Sequence, residues 1–192
     1  MMMLKKLNFV MILFFQSIYL NVNCRPTITE RQSKACFIVG NAVLPKDVVV
    51  NDKLTCDFKT QPFPGIPDVS SGNIKYSQVD FQSDSSISSV GFGLKNFQTD
   101  GSQADLTRFK QLDDVYGATN AALRSTGGDQ KQNGLAKLKG TAFFIGFQLA
   151  RINKDQPGLE RLLGKVLKNC VSCSDADRKQ VQDLAAASGV KA

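Results

Sequence analysis

Between Leu135 and Ile152 the chain places Leu135, Leu138, Ala142, Ile145, Leu149 and Ile152 at helical spacing, with Phe143, Phe144 and Phe147 on the other side of the same helix. From Ala142 to Ala150 only Gly146 and Gln148 interrupt the apolar residues, so such a helix must be covered on most of its circumference. Its apolar run is about nine residues, against the roughly 20 that cross a bilayer. The segment therefore predicts the central helix of a bundle, and the remaining elements must supply what covers it.

Several neighbours are legible. Ile87, Val90, Leu94 and Phe97 predict one helix despite Gly91 and Gly93. A second runs from Ser102, a suitable N-cap, to Leu123, with Asp105 in its first turn, Phe109, Leu112, Tyr116 and Leu123 on one stripe, and Gly127-Gly128 to stop it. Pro157 opens a helix whose buried face is Leu159, Leu162, Leu163, Val166 and Leu167. Ser174 caps the last, with Asp175 and Asp177 near its positive end and Val181, Leu184 and Ala185 turned inward. The expected fold class is mainly α, a helical bundle over residues 73–192. Residues 73–81 alternate only partially and fit a weak strand pair as well as an irregular loop.

The N-terminal third is different. Residues 1–24, with Lys5 and Lys6 ahead of an apolar run from Phe9 to Phe15, have the form of a secretory signal peptide that would be cut near Arg25. Residues 25–35 then form a flexible leader, and 36–192 a single secreted domain. Removal of the signal lowers the formal charge from +7 to +5 and takes Cys24 with it, leaving Cys36, Cys56, Cys170 and Cys173. Four cysteines in an oxidising compartment predict two disulfides, Cys36 with Cys56 and Cys170 with Cys173, or a cross-pairing between the two pairs. Residues 36–72 are expected to form a small disulfide-closed cap. In it Cys36–Val39 and Val48–Val50 are two short strands or a short helix, followed by an extended connector at Gln61–Asp68, where three prolines oppose regular structure.

Chemistry is narrowed mainly by what is missing. The sequence holds no histidine, which removes Ser-His-Asp and Cys-His nucleophile systems and histidine-bearing zinc sites. No Asn-x-Ser/Thr acceptor, P-loop, EF-hand loop or four-cysteine metal spacing occurs, so neither a metal nor a cofactor is expected. Cys170-Val171-Ser172-Cys173 has the spacing of a redox dithiol, but its first cysteine closes one helix and its second precedes the cap of the next. Redox pairs instead begin a helix at the first cysteine, so a structural bridge is the expected role. Asp113 and Asp114 are adjacent on a helix and should point apart, while Asp175 and Asp177 have a capping role and Glu160 stands alone.

Residues 131–192 carry eleven Lys or Arg against five acids. Arg161, Lys165 and Lys168 share one helical face, a patch suited to an acidic membrane, a nucleic acid or an acidic partner, or else a solvated face. No aromatic residues interleave them in sequence, which disfavours nucleic acid.

Cys36-Phe37-Ile38-Val39-Gly40-Asn41-Ala42-Val43-Leu44-Pro45, Gly65-Ile66-Pro67-Asp68-Val69, Tyr116-Gly117-Ala118-Thr119 and Arg124-Ser125-Thr126-Gly127-Gly128 resemble segments of small secreted proteins of basidiomycete fungi. In plant-associated species such as rusts these are candidate effectors. The resemblance implies an extracellular or host-delivered protein, and assigns no catalytic residue. The expectation is a secreted, non-enzymatic protein that binds a partner protein, host proteins included, with no transmembrane segment after signal cleavage. Two other functions are open to test: an extracellular carrier of a lipid or sterol, if Phe143, Phe144 and Phe147 line a cavity, and a thiol-disulfide oxidoreductase through Cys170 and Cys173.

Overall fold

The structure, a computed structural model, describes residues 35–190 apart from 47, 49, 50, 52, 128 and 129; the signal-peptide and leader readings concern residues outside that range, except Ala35. The described elements are strands β1 (Thr55–Asp57), β2 (Asp68–Ser71) and β3 (Ile74–Lys75), then helices α1 (Ser89–Asn96), α2 (Leu106–Thr126), α3 (Gln130–Asn153), α4 (Gln156–Lys168) and α5 (Asp175–Ala187). The fold is mainly helical with one small sheet.

The central helix is α3, which packs against α1, α2 and α4. Leu138, Phe144, Ile145, Phe147 and Ile152 are fully buried, so opposite sides of the helix are covered. Its polar interruptions are used as well. Thr141 and Gln148, two turns apart and both buried, donate to the carbonyls of Ser89 at 2.7 Å and Phe97 at 3.0 Å, gripping α1 at its two ends. Gly140 permits the crossing with α1, since an added Cβ would fall on the Ser89 hydroxyl.

Most helix boundaries follow local chemistry. The Ser174 hydroxyl accepts from the Asp177 amide while the Asp177 carboxylate accepts from the Ser174 amide, a complete capping box for α5. Gly127, with φ of 72°, ends α2 in the left-handed conformation that glycine adopts without steric cost. At the other end of α2 the expectation needs correcting. Ser102 makes no side-chain cap; it precedes a 3-10 turn at Gln103–Asp105, and the α-helix proper begins at Leu106. Similarly, α4 is capped by Asp155, whose side chain accepts from the Gly158 amide, with Pro157 inside the first turn.

The N-terminal region departs further from the sequence reading. Cys36–Val39 is a turn and loop, and Val48 lies in no regular element; Val49 and Val50 are outside the described residues. The strand is instead at Thr55–Asp57, pairing antiparallel with β2 in the register Cys56 to Val69, and β2 continues into β3. Gly72, with φ of 55°, and Asn73 make the two-residue hairpin turn between β2 and β3. Residues 73–81 are thus a two-residue strand followed by a 3-10 turn at Tyr76–Gln78, not a strand pair.

Nor is Gln61–Asp68 an extended connector holding a cap apart. Pro64-Gly65 forms a tight turn in which the Ile66 amide donates to the Phe63 carbonyl at 2.9 Å, Gly65 supplying a φ of 77°. The turn folds Phe63 and Ile66 into the same buried cluster as Val69, Tyr76, Tyr116 and the helices. Proline forbade a ladder here, but the apolar residues between the prolines still had a core to enter.

Candidate functional site

Along the middle of α3, one surface that other helices leave incompletely covered is Ala142, Phe143, Gly146 and Leu149, all half-buried. It forms the floor of a groove whose walls are α2 and α4. Two adjoining hollows make up the groove, of about 320 Å³ and 390 Å³, sharing Asp113, Gly117, Asn120, Phe143 and Lys165. Asp113, Gly117, Asn120 and Arg124 follow one another at helical spacing along one face of α2. The first hollow is closed by Phe37, Val48, Asn51 and Leu54 of the disulfide-closed loop, and the second runs on to Asn153, Asp155 and Arg161.

The polar side chains shared by the two hollows or lining the first are arranged as follows. Lys165 Nζ stands 5.1 Å from the centre of the Phe143 ring, a cation seated on an aromatic face. Arg124 Nε donates to Asn120 Oδ1 at 2.7 Å. Asp114 accepts from Asn51 Nδ2 at 3.3 Å and from Ser71 Oγ at 2.8 Å, tying the loop, β2 and α2 together at the groove's edge. Asp113 keeps solvent access at the rim. The protein crowding around it removes water from its carboxyl, and the Asp114 carboxylate adds repulsion, pushing it up from the ordinary 3.8 to about 6.

Sequence reasoning set Asp113 and Asp114 aside because adjacent helical residues diverge. Both nonetheless line the first hollow, which wraps around the edge of α2. The resulting linkage is testable. Between about pH 4 and pH 6 the unfolded chain has lost this proton and the folded chain retains it, so stability falls as pH rises through that window. Asp113→Asn is therefore expected to raise the melting temperature at neutral pH, and the gain should vanish where both states are protonated, below about pH 4. Thermal melts across this range decide it; an equal effect at both ends would assign the change to something other than the carboxylate.

The basic face divides. Arg161 and Lys165 line the groove, whereas Lys168 is exposed on the last turn of α4 and lines neither hollow. The aromatic partner of Lys165 comes from α3, 22 residues away in sequence, which is why a search for interleaved aromatics misses it.

Disulfides join Cys36 to Cys56, with Cα atoms 6.0 Å apart, and Cys170 to Cys173, at 5.3 Å. Cys170 is buried at 4% exposure and its carbonyl accepts from the Arg178 guanidinium, which also holds the Leu167 carbonyl. Cys173 directly precedes a helix whose N-terminus is already served by Ser174, Asp175 and Asp177. That end offers an attacking sulfur no free helix pole, the usual source of thiolate stabilisation in redox pairs. The phenylalanines expected to line a cavity in a carrier are mostly interior: Phe144 and Phe147 are packed in the core, and Phe143 reaches the groove only beneath Lys165.

Among the described residues no helix is long and apolar enough to cross a membrane, and no group of three or more Cys, Asp or Glu side chains is placed to hold a metal. Comparison with curated proteins and with solved structures gave no match. A family model described as "Domain of unknown function (DUF7143)" matches residues 38–189, from the loop that closes one end of the groove to the turn after α5, and the chain belongs to that family.

Proposed function

We propose that this protein is exported and acts as a non-enzymatic binding domain that takes a partner protein in the groove between α2 and α4. The observation that carries the reading is Gly117. A glycine inside a helix costs about 1 kcal/mol relative to alanine. Packing gives no reason for that cost, because a Cβ added at Gly117 would meet nothing within 4 Å. The space left open belongs to the groove, whose half-buried Phe143 and charges of both signs suit a mixed apolar and polar contact.

Export is supported by the signal-peptide form of residues 1–24 and by two disulfides, which persist in oxidising compartments. The likeness of its short motifs to small secreted proteins of basidiomycete fungi supports an effector role, with a host protein as partner.

Gly117→Leu tests the groove. Leucine at this position projects into open space, so circular dichroism and melting temperature should stay at or above those of the wild type. Proteins captured from host extracellular fluid by the immobilised wild-type domain should be lost with this variant. Capture of the same proteins by both, or by neither, would defeat the groove as the partner site.

A further inference from the structure

Asp113 has no hydrogen-bond or ion-pair partner among the described residues. Most groups near it are committed, and Arg161, exposed at the edge of the second hollow, makes no ion pair with it. Asp114 is held by Asn51 and Ser71, Arg124 by Asn120, and Lys165 stands on the Phe143 ring instead of meeting the carboxylate. The groove thus contains an aromatic face with a cation already on it and, lining the same two hollows, a carboxylate with none. The present occupant of the ring is replaceable, since a lysine sits on a flexible stem from the opposite wall and can turn to solvent without moving the backbone.

We propose that the groove seats the ammonium or guanidinium group of a lysine or arginine, carried on an extended segment of the partner protein, between Phe143 and Asp113, with Lys165 turned outward. The proposal rests on the reading of the groove as the partner site and names the chemistry it selects. A cation gains both the ring face and the unpaired carboxylate, whereas an anion there would meet Asp113 and Asp114 on the α2 wall. Open space at Gly117, one turn beyond Asp113, admits the aliphatic stem. The two hollows extend the site along the helices, and the Asn153 side chain is available to peptide groups of a segment lying in it.

The charged groups around the seat are Asp114 and Arg124 from α2, Arg161 and Lys165 from α4, and Asp155 ahead of α4. The described residues that α3 and the disulfide loop contribute to the lining are uncharged. With Asp113 titrating at about 6, about a tenth of it is ionised at pH 5 and nearly all at pH 7.5, so binding should weaken about tenfold on acidification.

The experiment is a heteronuclear NMR titration of the folded, disulfide-intact domain with three blocked pentapeptides that differ only at the centre: Gly-Gly-Lys-Gly-Gly, its norleucine counterpart and its glutamate counterpart. The lysine peptide should perturb the Phe143 ring and the Gly117 amide, bind about tenfold more weakly at pH 5 than at pH 7.5, and lose that pH dependence in Asp113→Asn. Equal binding of the norleucine peptide, preference for the glutamate peptide, an unchanged pH dependence in Asp113→Asn, or no perturbation at millimolar peptide would each overturn the cation seat. Spermidine bound as tightly as the lysine peptide would overturn the polypeptide as its source. If Gly117→Leu still abolishes partner capture while the peptides fail, the cation seat is lost and the groove remains the partner site; loss of both results removes the groove.

Discussion

Phe147→Ala should lower the unfolding free energy by about 3–5 kcal/mol, the cost of removing a large aromatic side chain from a site that cannot fully collapse. Phe147 is fully buried on α3, where the Phe144 ring lies 6.3 Å away, centre to centre. Ile145→Ala, equally buried, should cost about 2–5 kcal/mol. Comparable losses on both sides are what a helix packed all round requires. Phe143→Ala should cost clearly less than either, because its ring is half-buried and covered by Lys165. Urea denaturation of the three variants decides the matter. A small loss at Phe147 with saturable uptake of a fluorescent fatty acid would overturn the packed-core account and favour a carrier.

The second large effect concerns the Cys36–Cys56 bridge. Its sequence separation of 20 residues corresponds to about 3 kcal/mol of constraint on the unfolded chain, against about 2 for Cys170–Cys173 with a separation of three. The longer bridge also secures contacts that reach across the fold. It joins the 36–46 loop to β1, and that loop is strapped to the end of α2 by the Gly40 amide on Ser125 Oγ at 3.0 Å and the Ala42 amide on the Ser125 carbonyl at 2.9 Å. Gly40 is needed there, since a Cβ would collide with the Ser125 carbonyl. Replacing Cys36 and Cys56 together by alanine should therefore lower the urea midpoint more than replacing Cys170 and Cys173 together. The reverse order would mean that the α4–α5 corner, and not the loop, limits unfolding.

The helices were legible because their signals are local. Apolar spacing marked α3, and a serine followed by two aspartates marked the start of α5. What was read wrongly depended on partners distant in sequence. β1 and β2 are three and four residues long, too short for an alternation to stand out, and exist because they pair. Turn chemistry was nonetheless written in the chain. Gly72-Asn73 is a hairpin signal, and Pro64-Gly65 a turn signal that the flanking Pro62 and Pro67 obscured. The groove was the least legible feature. Periodicity marked Phe143 as core and Gly117 not at all, and only the spacing of α2 and α4 over α3 shows that the Phe143 ring faces outward and that the open space at Gly117 belongs to a groove.

Asp114, by holding the disulfide loop and β2 against α2, has a kinetic consequence for whatever enters the groove. Its two hydrogen bonds fix the α2 wall to a sheet and to a covalently closed loop, so no described backbone element has to open before a ligand arrives. Among the described residues the obstruction is the Lys165 side chain, whose rotamer exchange is far faster than any encounter. Association with the groove should then proceed in a single phase whose rate rises linearly with ligand concentration, ungated by the fold, and differences in affinity among ligands should reside in how slowly they leave.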